Sequence, residues 1–234
     1  NSPGNPSGKI FGLDLLRPLV EHCERKGIFV LFDDIYHRLV FDGRKFVHGY
    51  MCTDRPVDES TVVILNGVSK QYAMTGFRIG WAVGPSALIK AMGNIQSHQT
   101  GGPSTLSQAA AIAALEGRQG SVDELRATLE ENRNELMRLL GEIPGLEVNR
   151  PGGTFYSFCD FSAFDTDSAR LAAYLLEKVQ VVTVPGAEFG MDGFLRLSYC
   201  GSLEDVREGV RRIAWALDRE GPAELAVGDR VYTR

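Results

Sequence analysis

Hydrophobic and polar positions in the first half of the chain alternate between a helical and an extended pattern. Apolar residues recur at helical spacing from position 14 to 26, and Gly27 is placed to end that helix. Continuous apolar runs follow at residues 28–32, 62–65 and 79–83. Such runs are typical of strands that are buried on both faces of a sheet. Strands alternating with helices predict an α/β layer with a mostly parallel sheet.

The second half of the chain has an α+β pattern. Residues 121–124 have the sequence of a capping box, which predicts a long helix through Leu140. Further strands are expected near 146–149, at 154–160, near 181–184 and at 194–199, and further helices at 168–178 and 203–215. The change of pattern near residues 117–120 predicts two domains, 1–118 and 119–234. The tail after Gly221 is polar, and we expect it to be loosely held.

Composition and charge exclude several classes of protein. The 234 residues are 44% apolar and 24% charged, as in a soluble globular fold. With 25 basic and 30 acidic residues, the net charge of −5 argues against binding to nucleic acid or to an anionic membrane. No apolar run approaches the roughly 18 residues of a membrane span. The scattered cysteines and histidines match no metal or disulfide pattern, which predicts no metal site and a cytoplasmic protein.

Polar side chains stand next to the predicted strands, where ligands of open parallel sheets bind. They are Asp33, Tyr36, Ser69, Lys70 and Arg78. Taken singly, an aspartate after a strand is most often a turn residue, and a lone lysine is most often a solvated charge. These residues indicate a site only if they form one recognisable set.

They do form such a set, because residues 67–80 closely resemble the lysine signature of class I/II aminotransferases. In this signature Arg78 follows Lys70 by eight positions. Residues 2–8 resemble the Asn-Pro-Thr/Ser-Gly loop of the family, and residues 32–36 resemble its Asp-Glu-x-Tyr segment. Further similar blocks stand in the family order at residues 151–156, 184–186 and 195–199. The resemblance therefore covers nearly the whole chain.

The resemblance implies the architecture of fold type I. We expect a three-layer α/β large domain, whose mostly parallel sheet is incomplete here, and a smaller α+β C-terminal domain. The large domain of the family begins well before the Asn-Pro-Ser-Gly loop, so the chain looks like the C-terminal portion of a longer protein. The missing part would supply a glycine-rich phosphate loop and an aromatic side chain that stacks on the cofactor. The isolated piece is expected to be inactive, and the whole protein to be a homodimer.

The resemblance also implies that the cofactor is pyridoxal 5′-phosphate (PLP). Lys70 would hold PLP as a Schiff base and then act as general base and general acid. Asp33 would face the pyridine nitrogen and favour the protonated ring, which is the better electron acceptor. Asn5 and Tyr36 would both donate hydrogen bonds to the phenolic oxygen.

The two arginines of the matched motifs are expected to bind anions. Arg78 would bind the cofactor phosphate, and Ser69 would add a hydroxyl there. Some relatives have a serine three positions before the lysine, but Gly67 stands at that position here, so only its N–H could serve. Arg196 would bind the α-carboxylate of the substrate, because a planar guanidinium matches a carboxylate with two hydrogen bonds. Lys70 and Arg196 would then meet across the domain cleft.

The activity implied by the resemblance is transfer of an amino group between an L-amino acid and a 2-oxo acid by a ping-pong mechanism. Residues 73–78 most resemble the bacterial aspartate-aminotransferase-like branch, which favours aspartate as the amino donor. Two alternatives stay open, because they would share the same motifs. One is a PLP-dependent lyase or synthase of the same fold, and the other is an aminotransferase-like PLP-sensing domain of a transcription regulator.

Overall fold

The computed structural model describes residues 1–218, 220–228 and 230–233, and the chain forms two compact units. The first unit contains Asn1–Gly4 and Lys9–Arg126, and the second contains Asn5–Gly8 and Ala127–Arg234. The division lies within the long helix rather than before it, and the short segment Asn5–Gly8 belongs to the second unit. The boundary expected at residues 118 and 119 for the whole protein stays a prediction.

The first unit is built on a three-stranded sheet with the order β1–β2–β3. Strand β1 (Val30–Asp33) runs parallel to β2 (Val62–Gly67), as the sequence pattern predicts. Strand β3 (Gly80–Val83) pairs with β2 in the antiparallel direction, which the pattern does not reveal.

Helix α1 (Leu13–Arg25) packs its buried side chains against one face of this sheet. Its residues Leu16 and Val20 form a core with Phe32 and Val62. The prediction that β1 is buried on both faces is wrong, because Leu31, which points to the other face, is 59% exposed. Gly27 ends α1 with a φ of +66°, as predicted for a residue in the left-handed conformation.

Three helices follow the sheet: α2 (Ser86–Gln99), α3 (Thr105–Glu116) and α4 (Gly120–Leu140). The predicted capping box at Ser121 is wrong, because this residue already lies in the first turn of α4. The carbonyl of Gln119 instead accepts the N–H groups of Val122 and Asp123, at 3.0 and 3.3 Å. No helix of the described residues is long and apolar enough to cross a membrane.

The second unit has an antiparallel sheet with the order β4–β6–β5. Its strands are β4 (Tyr156–Asp160), β5 (Val184–Pro185) and β6 (Phe194–Ser198), and its further helices are α5 (Ser168–Val179) and α6 (Leu203–Leu217). The predicted strand at 146–149 is reduced to one bridge between Glu147 and Asp160. Helix α6 begins with a capping box in which Ser202 and Asp205 each accept the backbone N–H of the other.

The tail after Gly221 is not loosely held, contrary to the expectation from its polarity. Strands β7 (Glu224–Val227) and β8 (Arg230–Thr233) form an antiparallel hairpin. Tyr232 is 7% exposed, and the Arg212 guanidinium lies 5.1 Å from the centre of its ring. Trp215 donates its indole N–H to the Pro222 carbonyl at 2.9 Å. The buried Tyr232 thus attaches the hairpin to Arg212 of α6, and Trp215 of α6 holds the segment just before the hairpin.

Candidate active site

The ends of β1 and β2 lie at the same edge of the first sheet, because the two strands are parallel. Asp33 pairs with Leu65, and the Asp34 N–H donates to the Leu65 carbonyl at 2.8 Å. The Asp33 side chain is exposed, and its Oδ1 accepts the Ile35 N–H at 3.3 Å. Tyr36 follows in the turn after β1 and is buried. This edge therefore has an accessible carboxylate beside a buried phenol.

Lys70 lies at the same edge, in the turn that follows β2. The Ala73 N–H donates to the Lys70 carbonyl at 3.2 Å, and the side chains of Ser69 and Lys70 are half-buried. The buried Gln71 donates from Nε2 to the Gly67 carbonyl at 3.3 Å, which ties the turn to the last residue of β2. The turn thus places Lys70 next to the end of the strand.

Arg78 reaches this edge from the start of β3. It has the left-handed conformation, with a φ of +55°, and its Nη1 donates to the Thr75 carbonyl at 2.7 Å. The next residue, Ile79, accepts the Val68 N–H at 3.3 Å. A Cβ on Gly67 would stand 2.7 Å from the Ile79 oxygen, so the two segments can approach this closely only because residue 67 is glycine. Five of the predicted site residues are thereby placed at one edge: Asp33, Tyr36, Ser69, Lys70 and Arg78.

The backbone N–H of Gly67 is already used within this edge. It donates to Asn66 Oδ1 at 2.7 Å. The expectation that it could serve as a phosphate donor therefore does not fit this geometry, and Arg78 and Ser69 are the donors that remain among the predicted residues.

Arg196 occupies the central strand of the second unit, with Asn5 beside it. Its guanidinium carbon lies 4.3 Å from the ring centre of Tyr156 and 5.3 Å from that of Phe189. Its Nη1 donates to Asn5 Oδ1 at 2.9 Å. Two aromatic rings and one amide therefore orient a half-buried forked cation, which is the geometry that suits a carboxylate.

Asn5 contacts Arg196 through its amide oxygen, so the nitrogen of the amide is the donor that the expected cofactor role requires. The second unit thus brings together Asn5 and Arg196, and the first unit holds the other five predicted residues. The expected meeting of Lys70 and Arg196 stays a prediction.

Comparison with known proteins decides the family. The family model of aminotransferase class I and II matches residues 1–213. The chain belongs to the class I and II aminotransferase family. The three-layer α/β architecture with a smaller α+β domain follows from this membership and from the solved structures of similar aminotransferases.

Individual aminotransferases are similar to the chain over most of its length. The aspartate aminotransferase of Rhizobium meliloti is 40% identical, over 94% of this chain and 56% of the relative. The aspartate/prephenate aminotransferase of Nitrosomonas europaea is 38% identical, over 92% of this chain and 56% of the relative. The crystal structure of the Rhizobium meliloti enzyme matches with a TM-score of 0.87 and 39% identity, over 94% of this chain and 57% of that structure. The chain therefore spans about half the length of the aminotransferases that it matches.

A cluster of side chains around the buried carboxylate of Asp34, next to the turn that contains Lys70, was missed by the sequence reasoning. We call Asp34, His37, Phe46, His48 and Asn66 the Asp34 cluster. Asp34 is 2% exposed, and its Oδ2 lies 3.5 Å from His48 Nδ1 but accepts no hydrogen bond from the described residues. Burial raises the pKa of the Asp34 carboxyl to about 6, although the neighbouring His48 partly opposes this shift.

The Asp34 cluster also connects the two turns that hold the predicted cofactor residues. His37 Nδ1 lies 3.0 Å from the Asp34 carbonyl oxygen and 3.1 Å from Asn66 Nδ2. Burial lowers the pKa of His37, which favours the neutral imidazole. The rings of His37 and His48 both contact the ring of Phe46, with distances of 5.7 and 4.6 Å between the ring centres. The contacts of His37 with Asn66 and of Asp34 with His48 join residues that are distant in sequence, so no local motif could have revealed them.

We expect Asp34→Asn to change how stability depends on pH. Because folding raises the pKa of Asp34 from 3.8 to about 6, the folded state binds this proton more tightly, and stability due to Asp34 is lost as the pH rises through this range. The variant lacks this loss. Its free energy of unfolding, relative to that of the unsubstituted protein, should therefore increase by up to about 3 kcal/mol between pH 4 and pH 8. Urea denaturation at several pH values measures this difference.

The control for this experiment is Asp54→Asn, the same change at a side chain that is 86% exposed. The pH dependence of its free energy of unfolding is the reference against which that of Asp34→Asn is compared. Equal pH dependence in Asp34→Asn and in the unsubstituted protein would show that the carboxyl of Asp34 titrates normally.

Proposed function

We propose that the protein to which this chain belongs is a PLP-dependent aminotransferase that moves an amino group between an L-amino acid and a 2-oxo acid. The observation that supports the proposal is that Asp33, Tyr36, Lys70 and Arg78 stand at one edge of the first sheet, in a chain that belongs to the aminotransferase family. This donor set fits PLP. Lys70 has the amine for its carbonyl, Asp33 the carboxylate for its pyridine nitrogen, Tyr36 the hydroxyl for its phenolic oxygen and Arg78 the cation for its phosphate.

When bound, PLP supplies an electron sink for the bond that breaks at the substrate Cα. Lys70 Nζ then has two tasks: it holds the cofactor covalently between turnovers, and it moves a proton to and from the substrate Cα. Asp33 holds a proton on the pyridine nitrogen through charge and hydrogen bonding. Arg78 orients the cofactor by a charge-assisted hydrogen bond to the phosphate, with the hydroxyl of Ser69 as a second donor.

Arg196 binds the α-carboxylate of the substrate in this proposal. Stacking against Tyr156 and Phe189 and the hydrogen bond to Asn5 fix the plane of its guanidinium before the substrate arrives. A pre-oriented fork loses little entropy when it forms two parallel hydrogen bonds with a carboxylate. Asn5 would donate its amide N–H to the phenolic oxygen of the cofactor.

Aspartate is the amino donor that we propose, because two similar aminotransferases are named for it. These names also favour amino transfer over the lyase, synthase and regulator alternatives. We further propose that the whole protein is a cytoplasmic homodimer, as the family resemblance implies.

The test of the proposal is the mass of the native gene product after incubation with PLP and reduction with borohydride, followed by peptide mapping. We expect one pyridoxyl adduct, on Lys70. The same preparation, given aspartate and 2-oxoglutarate, should form oxaloacetate and glutamate in equal amounts. A product without an adduct, or oxo acid formed without matching glutamate, would contradict the proposed function.

A further inference from the structure

Helix α4 places a fully buried arginine inside the second unit. Arg133 has no exposed side-chain surface, and its Nη1 donates to the Pro151 carbonyl at 2.9 Å. Its Nε donates to Asn134 Oδ1 at 3.1 Å, and its Nη2 lies 3.5 Å from Glu130 Oε1. A buried guanidinium is costly unless its donors find acceptors, and here α4 itself and the loop carbonyl of Pro151 supply acceptors.

The loop that Arg133 holds, residues 151–154, is attached to the segment of Asn5. Gly152 N–H donates to the Gly8 carbonyl at 2.9 Å. Gly8 has a φ of +65°, and a Cβ on this residue would stand 2.2 Å from Pro151 Cβ. The two segments can therefore approach this closely only because residue 8 is glycine. The position of Asn5 therefore depends on the position of this loop.

The other end of the same loop is attached to the strand pair that presents Arg196. Thr154 is buried with a φ of +71°, and its Oγ1 accepts the Tyr156 N–H at 3.1 Å. The Thr154 carbonyl accepts the hydroxyl of the buried Tyr199 at 3.4 Å. The Tyr156 ring is the closer of the two that stack on the Arg196 guanidinium.

Helix α4 also holds the far end of β6. Asn132, which is 1% exposed, donates from Nδ2 to the carbonyls of Tyr199 and Gly201, at 3.0 and 2.8 Å. Two adjacent side chains of one helix thus hold the backbone at the end of the β4–β6 pair where Tyr156 faces Ser198, two residues after the arginine that we assign to the substrate.

From these contacts we propose that Arg133 is a positioning residue for substrate binding. Through the loop 151–154 it sets the places of Asn5 and Tyr156, and these two side chains fix the Arg196 guanidinium. The inference rests on the proposed role of Arg196 in binding the α-carboxylate. It adds a residue that touches neither substrate nor cofactor and that acts through backbone carbonyls.

The test is Arg133→Lys in the native gene product loaded with PLP. Lysine keeps the positive charge but lacks the planar guanidinium with its several N–H donors. The loop 151–154 and the Arg196 guanidinium should therefore be held less firmly. We expect the KM for aspartate to rise about 10- to 100-fold, because small displacements of binding groups have effects of this size. The borohydride adduct on Lys70 should form as before, which separates a failure of this inference from a failure of the proposed function.

A double-mutant cycle tells positioning from general damage to the fold. In the background of Arg196→Lys, the substitution Arg133→Lys should change the KM less than about 2-fold, since residues that act through one another are not additive. The inference would be overturned if the double variant raised the KM by the product of the two separate effects. It would also be overturned if Arg133→Lys alone left the KM unchanged. Arg138→Lys is the matched control, because Arg138 lies on the same helix and pairs at the surface with Glu135 and Glu142.

Two further measurements test the inference in other ways: the first does not depend on the activity of the loaded enzyme, and the second does not depend on the folding of Arg133→Lys. Amide hydrogen exchange of Gly152, in protein without cofactor, should be faster in Arg133→Lys than in Arg138→Lys, and equal rates would overturn the inference. Tyr199→Phe preserves the buried ring and removes the hydroxyl that holds the Thr154 carbonyl. It should raise the KM for aspartate in the same direction, by about 2- to 3-fold, as expected for one weak neutral hydrogen bond. No rise would overturn the inference.

Discussion

Lys70→Ala is expected to abolish the covalent attachment of PLP and to lower kcat/KM for aspartate by more than about 1,000-fold. Alanine has no amine for the cofactor carbonyl, and it removes the group that moves a proton at the substrate Cα. General acid–base catalysis alone accounts for about 10²- to 10⁴-fold in rate, and the loss of covalent attachment adds to this. Peptide mapping after borohydride reduction and a coupled assay of oxaloacetate formation measure the two effects separately.

Lys90→Ala is the matched control for Lys70→Ala. Lys90 is an exposed lysine of α2 in the same unit, so its removal should leave both the adduct and the rate unchanged. If the Lys70→Ala protein still forms a reducible adduct at another lysine and turns over at a comparable rate, the assignment of Lys70 is wrong.

The elements that the sequence predicts well are those set by local chemistry. Gly27 ends α1 because a left-handed residue is needed there, and Ser202 with Asp205 starts α6 because their side chains satisfy the first N–H groups. The direction of β3 is not encoded locally, since an apolar strand of four residues reads the same in a parallel and in an antiparallel pair. The hairpin of β7 and β8 was missed for a related reason, because its stability depends on the contacts of Tyr232 with α6.

The residues of the candidate site also fall into two groups: those that a local motif reveals and those that only the fold brings together. Lys70 and Arg78 could be predicted from the sequence because one family motif places them eight positions apart, and Asp33 because it stands in a second family motif. The parallel pairing of β1 with β2 then brings the two motifs to one edge of the sheet. The Asp34 cluster and Arg133 could not be found in this way. The contacts of His37 with Asn66 and of Arg133 with Pro151 span 29 and 18 positions of the chain, and a buried arginine on an amphipathic helix has the same sequence pattern as an exposed one.

Arg196→Lys is expected to weaken the binding of amino acid and 2-oxo acid substrates about 10- to 100-fold and to leave PLP bound. The physical reason is the loss of a forked, charge-assisted pair, since hydrogen bonds to charged groups are worth about 1.5–3 kcal/mol. Lysine keeps the charge but presents it as a point on a flexible chain, and it cannot make the contacts of the guanidinium with the rings of Tyr156 and Phe189. The change in absorbance of the bound cofactor on titration with aspartate measures the dissociation constant.

Arg207→Lys controls for loss of a surface arginine in the same unit, because Arg207 on α6 is half-exposed and pairs with Glu135. It should bind aspartate as the unsubstituted protein does. Because Arg196 contacts Asn5 as well as its two rings, we also expect Arg196→Lys to shift the absorbance of the bound cofactor slightly before any substrate is added. An unchanged affinity for aspartate in Arg196→Lys would mean that another cation binds the α-carboxylate, and the stacked guanidinium would then have to be explained as a structural support of β4 and β6.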